Sequence, residues 1–193
     1  MTTHAIPVQG SIRKLLPTET GLFIDHLLRL DKESRRLRFT HAVSDTFIRK
    51  YGMTAADQGV VVYIYALDGV VRAAAELRRM GSAWGETAEA AFSVESAFSN
   101  RGLATELMEH IIRSARNRGV THLILNCLAE NQKMQAIARK YKADLHIEQG
   151  DVVADIIPTR PDYVSLATEL FEDRFVLFLA ALDQQARITR RVA

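Results

Sequence analysis

Residues 88–110, AEAAFSVESAFSNRGLATELMEH, hold the densest chemical information in the chain. An apolar run ends in the turn Ser99-Asn100-Arg101-Gly102-Leu103-Ala104, which opens directly into a helical stripe of Leu103, Leu107, Ile111 and Ala115. Such a turn aims several unpaired backbone N–H groups at one point and adds the positive end of the helix dipole, so it suits a phosphate or pyrophosphate. Gly102 and Ala104 leave room for an anion to approach the backbone. In a second segment, CLAENQKMQAIARKYKA (127–143), Asn131 ends an apolar strand and starts a helix. There it can cap the helix or hydrogen-bond an amide-bearing ligand. Two adjacent parallel strands that each feed a helix splay apart, and a nucleotide-bearing cofactor fits the groove between them.

Other reactive side chains carry less. Cys127 is the only cysteine, so no internal disulfide forms, and its place in an apolar strand with His122 reads as core rather than nucleophile. The six histidines, at 4, 26, 41, 110, 122 and 146, lack the close spacing of a zinc or iron site. Arg29, Lys32, Arg35, Arg36 and Arg38, interspersed with Asp31 and Glu33, read as a solvated helix face, the alternative being that one or two of them contact a substrate. Trp84, in GSAWGE (81–86), belongs to a turn or a mobile substrate loop.

The elements that position these groups follow from periodicity. Residues 1–10 read as a loose arm and SIRKLL (11–16) as a first strand ended by Pro17. Thr18 then caps a helix bearing Leu22, Phe23, His26, Leu27 and Leu30. DKESRRLRF predicts a second helix, and SDTFIRKYG a third, capped by Ser44 and stopped by Gly52. From residue 59 the period becomes two, with strands on each side of Asp68-Gly69, a pair favoured in tight hairpins, and a further strand at 86–94. A helix over 101–118 stopped by Gly119, a buried strand (121–128), a helix (131–142) and a hairpin turning at Gln149-Gly150 (143–157) complete an α+β pattern with some parallel pairing. After Pro158 and Pro161 one long helix (165–191) is apolar almost all round between 175 and 182. The chain thus divides into a domain at 1–157 and a helical extension at 158–193 that either packs back or forms a dimer interface.

Composition narrows the function. Lys plus Arg number 25 and Asp plus Glu 23, a net charge of +2 in 193 residues, too small to draw in nucleic acid or anionic lipid. With 48% hydrophobic and 25% charged residues, the chain has the make-up of a packed globular protein. Residues 1–10 lack an apolar core of signal-peptide length, and the longest apolar run, FVLFLAAL (175–182), falls short of the ~20 residues that span a bilayer. The expectation is a soluble cytoplasmic protein with no metal, membrane or nucleic-acid partner.

These segments resemble the GNAT superfamily of N-acetyltransferases. Ser99-Asn100-Arg101-Gly102-Leu103-Ala104 is similar to its motif A, Gln/Arg-x-x-Gly-x-Gly/Ala, and the segment opening at Asn131 is similar to its motif B. Within the superfamily the likeness is to the bacterial protein-lysine acetyltransferase (Pat-type) catalytic domain. It is carried by AEAAFSV, NRGLATEL, LAENQKMQAIARKYKA and Ser34-Arg35-Arg36-Leu37-Arg38-Phe39, and it extends over residues 11–157. The resemblance implies a mixed, mostly antiparallel central sheet flanked by helices, with the C-terminal helix beyond it. It also implies acetyl-CoA as co-substrate, its pyrophosphate on Ser99, Asn100, Arg101, Gly102, Leu103, Ala104 and Thr105, and its pantetheine along Phe92 and Val94 and near Asn131. Three positions depart from the family pattern. Ser99 replaces a long side chain, Ala138 stands where many members have a Tyr (Tyr141 lies one turn on), and Lys142-Ala143 replaces a Gly-Phe pair.

Acetyl transfer from a thioester to an amine needs a neutral amine, a polarised carbonyl and a path for the proton. A Lys amine with a pKa of about 10.4 is neutral in about one molecule in 2,500 at pH 7, so a carboxylate, or a water it holds, must take the proton. The resemblance gives this role to Glu89, in surroundings expected to be apolar, with Glu86 and Glu95 as runners-up. A backbone N–H near Val94 would polarise the carbonyl. The implied activity is acetylation of a primary amine, on a protein lysine or a small molecule, by direct transfer in a ternary complex. The alternative, motivated by Ser99 and Ala138, is a non-catalytic acyl-CoA-binding regulatory module of the same fold; a homodimer is compatible with either.

Overall fold

The computed structural model describes residues 10–192, so the arm expected at 1–10 lies outside the described residues except for Gly10. Seven strands form one sheet: β1 (Ser11–Lys14), β2 (Val60–Leu67), β3 (Val70–Arg79), β4 (Thr87–Val94), β5 (His122–Leu128), β6 (Asp144–Glu148) and β7 (Asp151–Ile156). Their spatial order is β1-β2-β3-β4-β5-β7-β6, and every pair is antiparallel except β4 with β5. The hairpin turns fall where expected. Asp68 and Gly69 have φ of 51° and 70°, Gln149 and Gly150 of 53° and 95°, the left-handed pairs that match the twist of flanking strands.

Alternation along the strands sorts two cores. Val62, Ile64 and Ala66 of β2, with Val71 and Ala74 of β3, pack under α1 (Thr20–Arg29), α2 (Lys32–Phe39) and α3 (Asp45–Met53), meeting Phe23, Leu27, Phe39 and Ile48. On the other face Leu107, Met108 and Ile111 of α4 (Leu103–Asn117) sit on Ala75, Leu77, Ala88, Ala90 and Leu123. Each fully buried Leu or Ile contributes about 1.5–3 kcal/mol, and the alanines of β3 and β4 let the helices lie close to the sheet. α5 (Gln132–Lys140) follows β5 on this same face, with Ala138 in its core.

Several local expectations change. Thr18 does not cap α1 but lies in a 3-10 turn, Pro17–Glu19. The Glu19 carboxylate folds back to accept from the Leu16 N–H and to bind Arg13, which tightens the chain before the helix begins. Gly52 does not stop α3, which continues to Met53. A Cβ there would lie 2.5 Å from Ile24, so this glycine serves close packing of α3 on α1. β5 is buried on alternate residues only, with His122 and Asn126 exposed.

The C-terminal helix, α6 (Tyr163–Val192), lies against β1 and α4. Its domain-facing side carries buried carboxylates beside Val176 and Ala180. Glu169 takes hydrogen bonds from Lys14, Ser114, Asn117 and Arg118, and Asp183 pairs with Arg13 at 2.8 Å. Among the described residues no helix is long and apolar enough to cross a membrane.

Candidate cofactor and acceptor cleft

The parallel strands separate early. Thr87, Ala88 and Glu89 pair with His122, Leu123 and Ile124, after which Ala90–Val94 have no partner on the β5 side. That stretch therefore presents free backbone N–H and C=O groups to the groove between the strands. At its end the chain passes a 3-10 turn, Ser96–Phe98, and reaches α4 through Asn100 (φ 62°) and Gly102 (φ 82°). Two left-handed residues so close fold the backbone into a concave nest. Thr105 and Glu106 donate to the Gly102 carbonyl, whereas the N–H groups of Asn100, Arg101, Gly102, Leu103 and Ala104 have no partner among the described residues. The geometry is that of a candidate anion seat, and α4 is fifteen residues long behind it.

A cavity of about 420 Å³ lies over the seat. Phe92 and Val94 of β4, Ser99, Asn100, Gly102, Leu103, Ala104 and Thr105 of the turn, and Asn131 all line it. Arg101 does not. Its guanidinium folds back over Phe98, 5.1 Å from the ring centroid, and donates to the Ala97 carbonyl. Asn131 caps α5, its Oδ1 accepting from the Met134 N–H at 3.2 Å.

A second cavity, about 480 Å³, shares Leu37, Arg38, Phe92, Asn131 and Met134 with the first, so the two form one continuous cleft. Glu89 lines this second part and accepts from Asn126 Nδ2 at 3.3 Å. The apolar surroundings expected for Glu89 are not there: Arg38, Arg78, Asn126, Glu148 and Asp151 line the same space. The cause is the register, which sets Arg78 opposite Glu89 across β3 and β4.

The runners-up fall away. Glu95 is clamped by Arg29 and Arg72, each at 2.9 Å, with His26 at 3.5 Å. Burial would raise its pKa, but these partners outweigh burial and hold it at about 2, too acidic for a base. Glu86 is exposed ahead of β4, lines neither cavity, and uses its carbonyl to hold the Thr121 and His122 N–H groups. Cys127 is buried, and burial followed by the charge of Asp151 pushes its thiol pKa up, which disfavours a thiolate. Tyr141 lies outside the cleft and donates to Glu109 and the Thr105 carbonyl, while Ala138 is 1% exposed in the core.

The helix-face reading of the basic cluster holds for Lys32, which is exposed, and is corrected for the arginines, which are all paired. Arg29 binds Glu95, Arg35 binds Asp45 and the carbonyls of Leu28 and Leu30, and Arg36 binds Glu33 and Glu130. These side chains fasten α1 and α2 to their neighbours, although Arg29 and Arg36 remain partly open to water. Arg38 goes further and enters a buried cluster. Its guanidinium pairs with Glu76, Arg78 binds the other Glu76 oxygen at 2.6 Å, and Tyr51 donates to that same oxygen at 2.9 Å. Burial pushes the Glu76 carboxyl up, yet Arg38 and Arg78 win and hold it below its usual value; burial and then the Glu76 charge push Tyr51 up to about 12. Tyr51, Arg38 and Arg78 form a wall of the second cavity. Sequence reading missed Tyr51, Glu76 and Arg78, although Glu76 and Arg78, two apart on a strand, had to share a face. Trp84 lines neither cavity and stacks on Arg118, 5.6 Å from the guanidinium carbon.

The sequence pattern that describes the acetyltransferase (GNAT) family matches residues 24–142, which contain the anion seat, Glu89 and Asn131. The chain belongs to the acetyltransferase (GNAT) family. Membership makes it an acetyl-CoA-dependent acyltransferase, and the expected mixed sheet with flanking helices and a C-terminal helix is the one observed. Solved GNAT structures share the fold. The GNAT domain of the Streptomyces lividans protein PAT superposes with a TM-score of 0.67 at 23% identity, covering 77% of this chain and 90% of that one. The Salmonella typhimurium protein yncA, solved with its cofactor acetyl-CoA, gives 0.59 at 14% identity, covering 80% and 99%. The PaiA N-acetyltransferase of Thermoplasma acidophilum, in complex with coenzyme A, gives 0.56 at 12% identity, covering 77% and 99%. No curated protein sequence matches the chain.

Proposed function

We propose that this GNAT chain moves the acetyl group of acetyl-CoA to a primary amine, on a protein lysine or a small molecule, by direct attack in a ternary complex. The carrying observation is the single cleft, with five unpartnered N–H groups at one end and Glu89 at the other. Acetyl-CoA supplies an activated thioester. Asn100 to Ala104 hold its pyrophosphate through backbone N–H groups, with Ser99 and Thr105 at the margins. The unpaired edge of β4 around Phe92 and Val94 meets the amides of the pantetheine, assisted by the Asn131 side chain. An N–H on this edge near Val94 donates to the carbonyl oxygen as charge develops there.

The amine enters through the polar end, where Glu89, Glu148 and Asp151 favour a cation, and Glu89, directly or through a water, takes its proton. Coenzyme A departs as a thiolate. With a thiol pKa of about 8.5 it needs little help from an acid, so a tyrosine at position 138 is dispensable. The catalytic unit is 1–157 with 158–193 as an extension, and the cytoplasm, where acetyl-CoA is made and used, is its place of work.

Calorimetry with acetyl-CoA, run beside an amine-acetylation assay, tests this reading. Micromolar binding, worth about 8 kcal/mol, is expected, and Glu89→Gln should lower kcat by about 10²–10⁴-fold at unchanged acetyl-CoA affinity. Equal turnover in the two proteins would remove Glu89 from the mechanism. Tight binding without turnover on any amine would favour a regulatory acyl-CoA-binding module, the reading to which Ser99 and Ala138 lend support.

A further inference from the structure

His26 is out of place in its core. It sits on the inner face of α1, flanked in the helix by the buried Phe23 and Leu27, and is itself 0% exposed. A leucine would fill such a position at no electrostatic cost, whereas a buried imidazole asks for a partner at each ring nitrogen. Nε2 has one, Ser93 Oγ of β4 at 2.9 Å. Nδ1 makes no hydrogen bond and stands 3.5 Å from Glu95 Oε1, on the carboxylate that Arg29 and Arg72 hold. Serine, histidine and carboxylate thus follow one another through the two ring nitrogens, in the order of a nucleophile, its base and the group that orients the base.

The proton positions follow from charge. Arg29 and Arg72 keep Glu95 ionised, so the ring nitrogen that faces it, Nδ1, carries the hydrogen. Burial outweighs the Glu95 contact and holds the His26 pKa below its usual value, which leaves the ring neutral at pH 7. A neutral ring protonated at Nδ1 has a lone pair at Nε2, and the Ser93 hydroxyl donates to it. Ser93 also lines the cavity over the anion seat, on the strand face that carries Glu89. The Glu95 N–H goes to the Arg72 carbonyl on the β3 side, so alternation turns the Val94 N–H, next to Ser93, toward the open side of β4.

We propose that Ser93, His26 and Glu95 form a second catalytic centre, which hydrolyses the acetyl-CoA thioester through an acetyl-serine when no amine occupies the cleft. This centre depends on the cleft being the acetyl-CoA site, as proposed above. Ser93 Oγ attacks the thioester carbonyl carbon as its proton passes to His26 Nε2, and the Val94 N–H donates to the carbonyl oxygen as charge develops there. The carbon–sulfur bond breaks, the sulfur takes the proton from Nε2, and coenzyme A leaves as a thiol. Water then attacks the ester, one of its protons passing to Nε2 and on to Ser93 Oγ, and acetic acid leaves and ionises. Glu95 stays ionised throughout and fixes the ring, which makes it a positioning residue.

Three measurements on the full chain test this. Calorimetry reports acetyl-CoA binding, thiol release without amine reports hydrolysis, and acid quenching with mass spectrometry of the tryptic peptide 80–101 reports the intermediate. The wild type is expected to bind, to release thiol faster than buffer does, and to carry an acetyl group on Ser93. Ser93→Ala should cut thiol release by about 100-fold or more. Ser93→Cys, which keeps a nucleophile against Nε2, should still be acetylated at that position. Binding without hydrolysis above the buffer rate would overturn the second centre and leave the cofactor reading intact; no binding would overturn both. Hydrolysis that survives in Ser93→Ala would assign it to water activated elsewhere and overturn the acetyl-serine. Nitrogen NMR shifts of the His26 ring give a check independent of turnover. The proton is expected on Nδ1, and a proton on Nε2 would make Ser93 an acceptor and overturn the relay.

Discussion

The two ends of the cleft are made of different material. At the proposed cofactor end the working groups are mostly main-chain, the N–H donors of Asn100–Ala104 and the free edge of β4, with left-handed residues at Asn100 and Gly102 and the Asn131 side chain beside them. At the acceptor end the working groups are side chains from five elements. Arg38 comes from α2, Tyr51 from α3, Arg78 and Glu76 from β3, Glu89 from β4 and Asn126 from β5. A backbone site is positioned by secondary structure and tolerates changes in its side chains, so Ser99 in place of a long residue is compatible with the proposed seat. A side-chain site must be held together by its own electrostatics, and a carboxylate under two guanidiniums supplies that hold.

If this contrast is right, the acceptor end breaks through stability and the cofactor end through binding. The largest effect is expected from Glu76→Gln, which leaves Arg38 and Arg78 buried without a counter-charge and should cost about 3–5 kcal/mol in urea unfolding. A variant as stable as wild type would mean that the cluster is ornamental. Next, Gly102→Glu should weaken acetyl-CoA binding by about 100-fold, roughly 2.7 kcal/mol, through repulsion and lost N–H contacts. Its folding cost is expected at only about 1–2 kcal/mol, for a side chain in the left-handed region, because a Cβ there meets nothing within 4 Å. Should the variant unfold instead, the seat is structural and the contrast collapses. Asn131→Ala removes the α5 cap, worth about 1 kcal/mol, and raises the KM for acetyl-CoA because the same amide borders the cleft; thermal melts and initial rates separate the two effects.

A further effect, spread over several groups, is a pH dependence. Glu95 and Glu169 are held at about 2, Glu169 because Lys14, Arg118 and Asn117 outweigh its burial. A native carboxyl below its unfolded value of 4.5 binds fewer protons than the unfolded chain does. Its stabilisation is therefore complete above about pH 4.5 and is lost as the pH falls toward 2. Urea midpoints between pH 7 and pH 3 should decline, and Glu169→Gln should flatten the decline; an unchanged slope in that variant removes Glu169 from the account.

The same contrast explains what could be read in advance. The strand-turn-helix from Thr87 to Asn117 was legible because every feature of the seat is local: alternation, a turn with one glycine, then a stripe at helical spacing. The hairpins at Asp68-Gly69 and Gln149-Gly150 were legible for the same reason. Arg38 was not, since a run of arginines between acids reads as a wet helix face until the sheet brings Glu76 beneath it. Nor was the tilt of Thr18 out of its capping role, which depends on Arg13 and Glu19 meeting across a turn. The direction in which α6 faces was illegible too. An apolar run of that length says that something covers it, whereas the buried carboxylates Glu169 and Asp183, which decide the facing, find their cations some 155 and 170 positions earlier.

That last pairing governs how the molecule comes apart. Arg13 and Lys14 sit on a four-residue edge strand, and their counter-charges all lie on α6 apart from Glu19. Once α6 lifts, Lys14 loses both of its carboxylates, Arg13 keeps only Glu19, and β1 has a single neighbouring strand to hold it, so it should leave with the helix. The first and last elements thus form one cooperative opening unit, to be seen in hydrogen exchange as matched protection of Ile12–Lys14 and of the Glu169–Asp183 amides, both less protected than β3 and β4. A protease cut in the 157–162 connection would not yield a trimmed catalytic domain but one that also loosens at the opposite end of its sequence.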